Sequence, residues 1–221
     1  AALFRFLGPA LTNSDRLVWI DGDVVCVRNP DELWPYWSPN SACFAAVDLF
    51  ATLLRYVSMP SAILKGDTWE NYYSRILPRR KNPLIFQAGI LVINTRYWLG
   101  RNAPSKLLQL AAHTSYPGGH DQDLINIFFN TDISRLPQTY NYVNQQSIDV
   151  RTWSTKFNQI ENQELSDWLV TPHPVIIHFT GHLMPKPFNT TEMHFPKFLH
   201  YWAEISKTSY LALLILKTSN I

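Results

Sequence analysis

Apolar positions along the chain fall into short runs separated by polar turns, with helix-like spacing between several of them. Leu17-Val18-Trp19-Ile20 runs straight into Asp21-Gly22-Asp23, and Val24-Val25 follows. A run this short predicts a strand over residues 16–20 that is buried on both faces, preceded by a helix within residues 1–11. Asn29-Pro30-Asp31-Glu32 combines an N-cap Asn, a Pro at the first helical position and an acidic first turn, predicting a short helix through residues 33–37. Residues 42–47 read as a strand, and residues 49–83 as a long irregular excursion, a kind of insertion that is usually functional. The apolar runs 84–86 and 90–93, interrupted by Gln87-Ala88-Gly89, predict a strand pair broken by small residues, as where a ligand lies against backbone. Asn102 is expected to cap a helix carrying Leu107, Leu108, Leu110 and Ala111. A second helix should start near His120 and bury Leu124, Ile127 and Phe128. Val175-Ile176-Ile177 predicts one more buried strand, ending in His178. Alternating strands and helices place the chain in the α/β class.

Composition narrows the functional classes. With 221 residues, 46% hydrophobic and 16% charged, the chain can bury a substantial core as one domain, with room for a small appendage. A net charge of +2 from 19 basic and 17 acidic residues argues against a nucleic-acid partner, and Arg79-Arg80-Lys81 reads as a solvated loop. Cys26 and Cys43 both lie in apolar strand-like runs and are expected to be small buried hydrophobes. Residues 210–216 are apolar but far too short to span a membrane. Flanked by Lys207 and Lys217, they suit either a packed C-terminal element or a peripheral membrane contact.

The chemistry concentrates at strand ends. In open α/β sheets, sites form just beyond the carboxyl ends of strands, where Asp21 and Asp23 stand. Their i, i+2 spacing around Gly22 lets both carboxylates reach one hard divalent cation, although an ordinary Asp-Gly turn has the same composition. His178 also ends a strand and begins His178-Phe179-Thr180-Gly181, continuing to Lys186-Pro187-Phe188. An imidazole there completes a two-carboxylate metal site, Gly181 permits close backbone approach, and Lys186 offers a point charge to a phosphate. Gly118-Gly119-His120-Asp121-Gln122-Asp123 sets glycines ahead of polar side chains at a helix start, where Asp121 serves equally well as an N-cap.

Taken in order from about Arg5 to Phe188, these motifs resemble family 8 glycosyltransferases, the retaining sugar-nucleotide enzymes that include glycogenin and bacterial lipopolysaccharide galactosyl- and glucosyltransferases. The resemblance implies a Rossmann-like GT-A fold, a mixed sheet flanked by helices, with residues 1–190 as the catalytic domain and 191–221 as a C-terminal helical tail. It implies that Asp21, Asp23 and His178 hold manganese, or magnesium, on the donor diphosphate, and that Gly181 and Lys186 contact that diphosphate. Arg5 matches the basic donor contact in the helix before the metal strand. Asp121 corresponds to the Asp that binds the donor sugar, Gln122 to the Gln on the reacting face, and Asp123 to a second Asp shared with lipooligosaccharide galactosyltransferases. Gln87, with Ala88, occupies the donor-binding segment where the family usually has Asn, and Phe188 replaces the usual Trp. Family members place their first strands, which carry much of the nucleobase site, before the helix that opens this chain, so an N-terminally truncated domain is expected.

The resemblance implies hexose transfer from UDP-galactose or UDP-glucose to an oligosaccharide or glycolipid acceptor. Gln122 is a feeble nucleophile, so same-face attack assisted by the departing phosphate is favoured, with Asp123 as the reserve nucleophile. Two rivals stand beside this reading. Residues 18–25 also fit the haloacid-dehalogenase phosphatase signature, with Asp21 as nucleophile and Asp23 as general acid. A non-catalytic protein is the other: a carbohydrate-binding module, favoured by 8 Trp and 10 Tyr, or an inactive carbohydrate- or nucleotide-sugar-binding remnant, which the missing N-terminal strands keep open. The expected location is cytoplasmic and membrane-associated, with the Golgi lumen as the alternative; Asn189-Thr190-Thr191 is a glycosylation sequon that would matter only there.

Overall fold

The computed structural model describes residues 3–54, 60–77, 84–113, 121–143 and 174–178. Helix α1 (Phe4–Leu7) runs through a short 3-10 turn into strand β1 (Arg16–Ile20), as the pattern predicts. Strand β2 (Val24–Cys26) follows the Asp-Gly-Asp turn. Asn29 then caps a 3-10 helix over Pro30–Tyr36, its side chain accepting from the Asp31 amide. Next come β3 (Cys43–Val47), α2 (Leu49–Leu54), α3 (Trp69–Ile76), β4 (Phe86–Asn94), α4 (Thr95–Gly100), α5 (Ala103–His113), α6 (Asp121–Phe129), β5 (Ile133–Arg135), β6 (Tyr142–Val143) and β7 (Ile176–His178).

Two sheets organise these elements. One has the order β1-β4-β3-β5, antiparallel except for the parallel β3/β5 pair; the other has the order β2-β7-β6, with β6 and β7 parallel. Strand β4 is the axis, buried at every one of its nine positions. Phe86, Ala88, Leu91 and Ile93 pack with Phe6, Trp98, Leu107, Ile125 and Phe129 from α1, α4, α5 and α6. Ile90 and Val92 pack on the other side with Leu33, Leu136 and Ile176. Each such aliphatic side chain stabilises the fold by roughly 1.5–3 kcal/mol. Among the described residues, no helix is long and apolar enough to cross a membrane.

Several expectations are corrected. The runs around Gln87-Ala88-Gly89 are not two strands but one continuous β4. Small residues there mark a bulge: Ala45 pairs with Leu91 and Val47 with Phe86, so two steps along β3 answer to five along β4. Strand β1 is only half-buried, because it lies at a sheet edge. The excursion after residue 49 contains α2 and α3, the latter capped by the Thr68 side chain accepting from the Asn71 amide. Helix α6 buries Leu124, Ile125 and Phe129 rather than Ile127 and Phe128, which remain half-buried. Cys43 is buried but Cys26 is exposed on the edge strand β2; both are free thiols. The stretch Gly118 to His120, residues Gly181 and Lys186, and the proposed tail 191–221 lie outside the described residues.

Candidate active site

The two sheets meet at the Asp-Gly-Asp turn, where three predicted ligands come together. Asp21 leaves β1 with its amide donating to the Gly89 carbonyl at 2.8 Å, which ties the turn to the bulge of β4. Asp23 precedes β2, whose Val24 pairs with His178 at the end of β7. His178 Nε2 therefore faces both carboxylates, 3.3 Å from Asp23 Oδ1 and 4.0 Å from Asp21 Oδ2. One donor atom from each of the three residues lies within 4.8 Å of the others. Two carboxylates and an imidazole suit manganese better than calcium, which prefers an all-oxygen shell.

Arg5 forms a second centre beside the first. Its Nη2 donates to both oxygens of Asp21, at 2.9 and 3.1 Å. Its Nε lies 2.5 Å from Asp121 Oδ2, and its Nη1 donates to the Ala88 carbonyl. Trp19 lies under the guanidinium, 5.6 Å from ring centroid to Cζ, and donates from Nε1 to Asp21 Oδ1 at 2.8 Å. A buried guanidinium thus links Asp21, the bulge and the first residue of α6. Burial pushes the Asp121 carboxyl above the ordinary aspartate value, and the Arg5 charge works against that rise.

Helix α6 is stitched to the bulge by amides. Gln122 Oε1 accepts from the Ala88 amide at 3.2 Å, and its Nε2 donates to Asp48 Oδ2 at 2.9 Å. One turn on, Asn126 accepts from the Phe86 amide at 2.8 Å and donates to the Phe86 carbonyl at 2.7 Å. Asp123 points elsewhere. It is 1% exposed and accepts from the Tyr72 hydroxyl of α3 at 2.6 Å.

The structure adds residues that the sequence reading missed. Asp48 ends β3 as Asp21 ends β1, so the same strand-end rule could have found it. It also accepts from the Ala51 amide at 2.8 Å, and burial raises its carboxyl above the ordinary range. Trp19 and Tyr72 read as core aromatics. Asn141, 1% exposed, carries no sequence signal. Its Oδ1 lies 2.9 Å from His178 Nδ1, and its Nδ2 donates to Gln87 Oε1 at 2.9 Å; that same Gln87 oxygen accepts from the Gly89 amide.

Comparison with known proteins shows which family the chain belongs to. The profile of glycosyl transferase family 8 matches residues 1–191. The chain belongs to this family. Family 8 relatives include a lipopolysaccharide 1,2-glucosyltransferase from Escherichia coli, 25% identical over 202 residues, covering 89% of this chain and 48% of the relative. Another is the glycosyltransferase GlyF of Streptococcus pneumoniae, 23% identical over 193 residues, covering 86% of this chain and 38% of the relative. This family 8 chain thus spans less than half the length of either. Its fold matches the bifunctional glycosyltransferase WbbM with a TM-score of 0.68 at 20% identity, covering 92% of this chain and 37% of WbbM. It also matches the galactosyltransferase LgtC, solved with donor and acceptor sugar analogues, with a TM-score of 0.61 at 17% identity over 90% of this chain and 64% of LgtC. The GT-A architecture expected of family 8 is therefore the observed one.

Proposed function

We propose that this family 8 chain moves a hexose from UDP-galactose or UDP-glucose to an oligosaccharide or glycolipid acceptor, with retention of configuration and with help from a divalent cation. One observation carries the reading: Asp21, Asp23 and His178 offer their donor atoms to one point, beside Arg5 and Gln122, which both bond the bulge at Ala88, and Asp121, which Arg5 holds. A phosphatase of the haloacid-dehalogenase type has no use for this second group.

Asp21, Asp23 and His178 would hold manganese or magnesium. Such a cation supplies Lewis-acid stabilisation of the charge that builds up on the departing diphosphate. Asp121, kept in place by Arg5, grips hydroxyls of the donor sugar and so orients its anomeric carbon. Gln122 has its amide plane fixed by Ala88 and Asp48, and presents a fixed dipole to the positive charge developing on the sugar. Attack by the acceptor hydroxyl on the face that the leaving group vacates retains configuration, with the hydroxyl proton passing to the departing phosphate oxygen. Asp123, buried under Tyr72, serves the helix start in this scheme. Residues 1–190 form the catalytic part, and residues 191–221 a tail that contacts membrane lipid at its cytoplasmic face.

The test is a transfer assay with UDP-galactose and UDP-glucose and manganese, read as UDP release and by the anomeric configuration of the product. Asp23→Asn removes one ligand charge and should abolish turnover while leaving the melting temperature close to that of the parent. Full activity in strict chelator would remove the cation from the reaction, and an inverted product would overturn retention.

A further inference from the structure

Between the bulge of β4 and the proposed cation site runs a chain of hydrogen bonds in which every donor and acceptor is determined by its neighbour. It starts at the Gly89 amide, a backbone donor whose direction is fixed by the strand. The Gln87 side chain folds back over the bulge so that Oε1 accepts this N–H. Asn141 reaches the same oxygen from the segment before β6, and only its Nδ2 can approach an acceptor, which it does at 2.9 Å. The Asn141 carbonyl is thereby turned the other way, onto His178 Nδ1 at 2.9 Å. An amide oxygen only accepts, so the proton sits on Nδ1. The neutral ring then carries its lone pair on Nε2, the atom facing Asp23 and Asp21.

We propose that Gln87 and Asn141 are positioning residues for His178: anchored on the Gly89 amide, they select its Nδ1–H tautomer and aim Nε2 at the Asp21–Asp23 pair. The inference rests on the reading of these three residues as cation ligands and extends it to how the ring is prepared. A metal-bound histidine needs its second nitrogen tied to an acceptor, which fixes the ring and makes the ligating nitrogen more basic. A free histidine side chain prefers the opposite tautomer, so without the relay the ring has to switch before it can bind.

Packing supports the relay. His178 and Asn141 are 2% and 1% exposed, so bulk water does not compete for these bonds. The parallel β6/β7 pairing sets Val143 opposite His178 and so fixes Asn141 two residues upstream. The relay also gives Gln87 a part distinct from donor contact, because its carbonyl oxygen is engaged by Gly89 and Asn141. A Gln in this position has the reach to fold back two residues along its own strand.

Two measurements on the full chain test this without any donor sugar. In the parent protein labelled with 15N-histidine, free of metal and at a pH well above the ordinary histidine range, the His178 ring should show Nδ1 protonated and Nε2 bare. The signal is assigned by its loss in His178→Ala. A ring protonated on Nε2 overturns the proposal, whatever the metal affinity. Manganese titration by calorimetry then reads the variants. Asn141→Leu removes the acceptor and should weaken binding by about 10- to 100-fold, whereas Asn141→Asp keeps an acceptor toward Nδ1 and should retain most of the affinity. Folded Asn141→Leu that binds manganese like the parent would overturn the proposal as well. Failure of hexose transfer with every donor would count against the proposed function and leave both of these readouts standing.

Discussion

Gln122 donates from Nε2 to Asp48 Oδ2 at 2.9 Å, while its Oε1 accepts from the Ala88 amide at 3.2 Å, so a carboxylate and a backbone N–H together decide which way this amide faces. Asp48→Asn keeps the shape and destroys the logic. Its Oδ1 would still serve the Ala51 amide, but its NH2 would then confront the NH2 of Gln122. Either amide must turn and abandon a backbone donor. Turnover should fall on the order of 10²-fold, the scale of a misplaced reacting-face group, with UDP binding largely kept. Unchanged turnover would separate Asp48 from the site.

The same substitution carries a pH signature. Burial holds the Asp48 carboxyl above the ordinary aspartate value, opposed by hydrogen bonds from the Ala51 and Phe50 amides and from Gln122. A raised carboxyl keeps its proton in the folded state at a pH where the unfolded chain has lost it. The resulting stabilisation is complete below the unfolded value and is lost as pH rises through the folded one. Asn has no such proton. The melting-temperature difference, parent minus Asp48→Asn, should therefore fall as pH rises through that window; the amide mismatch adds only a constant offset. A difference that stays flat would mean that the carboxyl is not destabilised by its surroundings.

Arg5 bridges two carboxylates at once, since it pairs with Asp21 and with Asp121 from a site that is 6% exposed. Arg5→Met keeps the apolar stem and leaves both acids without that partner, which for a buried pair costs about 3–5 kcal/mol. Arg5→Lys should recover little, because one ammonium cannot reproduce the fork that spans Asp21, Asp121 and the Ala88 carbonyl. Urea unfolding of the three proteins reads the effect. Equal stability of Arg5→Lys and the parent would mean that charge alone matters here.

The Asp21–Asp23–His178 cluster was legible because its signal is local: an apolar run that ends in acids or in His places them at a strand end whatever the rest of the chain does. Asp48 obeys the same rule, but the irregular pattern of the segment after it masks that signal in the sequence. Asn141 could not be found in this way. Its position depends on parallel pairing of β6 with β7, strands separated by more than thirty residues of sequence. Gln87-Ala88-Gly89 looks like a strand break in the sequence because small residues in a strand usually mark one. Burial on both faces of β4 overrides that preference, and the irregularity survives as a bulge. Cys26 misled for the opposite reason, because a three-residue edge strand leaves alternate side chains in solvent.

Asp123 and Tyr72 distinguish an anchor from a nucleophile. The Tyr72 hydroxyl donates to Asp123 Oδ2 at 2.6 Å in a buried setting, and removing such a donor from a buried acceptor costs about 1–3 kcal/mol. Tyr72→Phe should lower stability by that amount and leave both the rate per folded molecule and manganese affinity near the parent values. A glycosyl adduct found on Asp123 by mass spectrometry of protein given donor alone would reverse this assignment.

Two glycines at the site should behave in opposite ways. A Cβ built at Gly89 would fall 2.6 Å from His178 Nδ1 and 2.8 Å from Gln87 Oε1, closer than real Cβ atoms approach such neighbours. Gly89→Ala must push His178 away from the carboxylates or force the bulge open, so overpacking should cost about 1–3 kcal/mol and manganese affinity should drop with it. Gly22 sits between Asp21 and Asp23, where the sequence makes it look indispensable. Yet a Cβ there meets nothing within 4 Å, and the residue does not occupy the left-handed region. Gly22→Ala should therefore keep fold and metal affinity, and by restricting the unfolded chain it should gain up to about 0.4–1 kcal/mol. Thermal melts and manganese titrations of the two variants side by side check the contrast. Loss of metal binding in Gly22→Ala would mean that the turn must change its backbone conformation when the site is loaded.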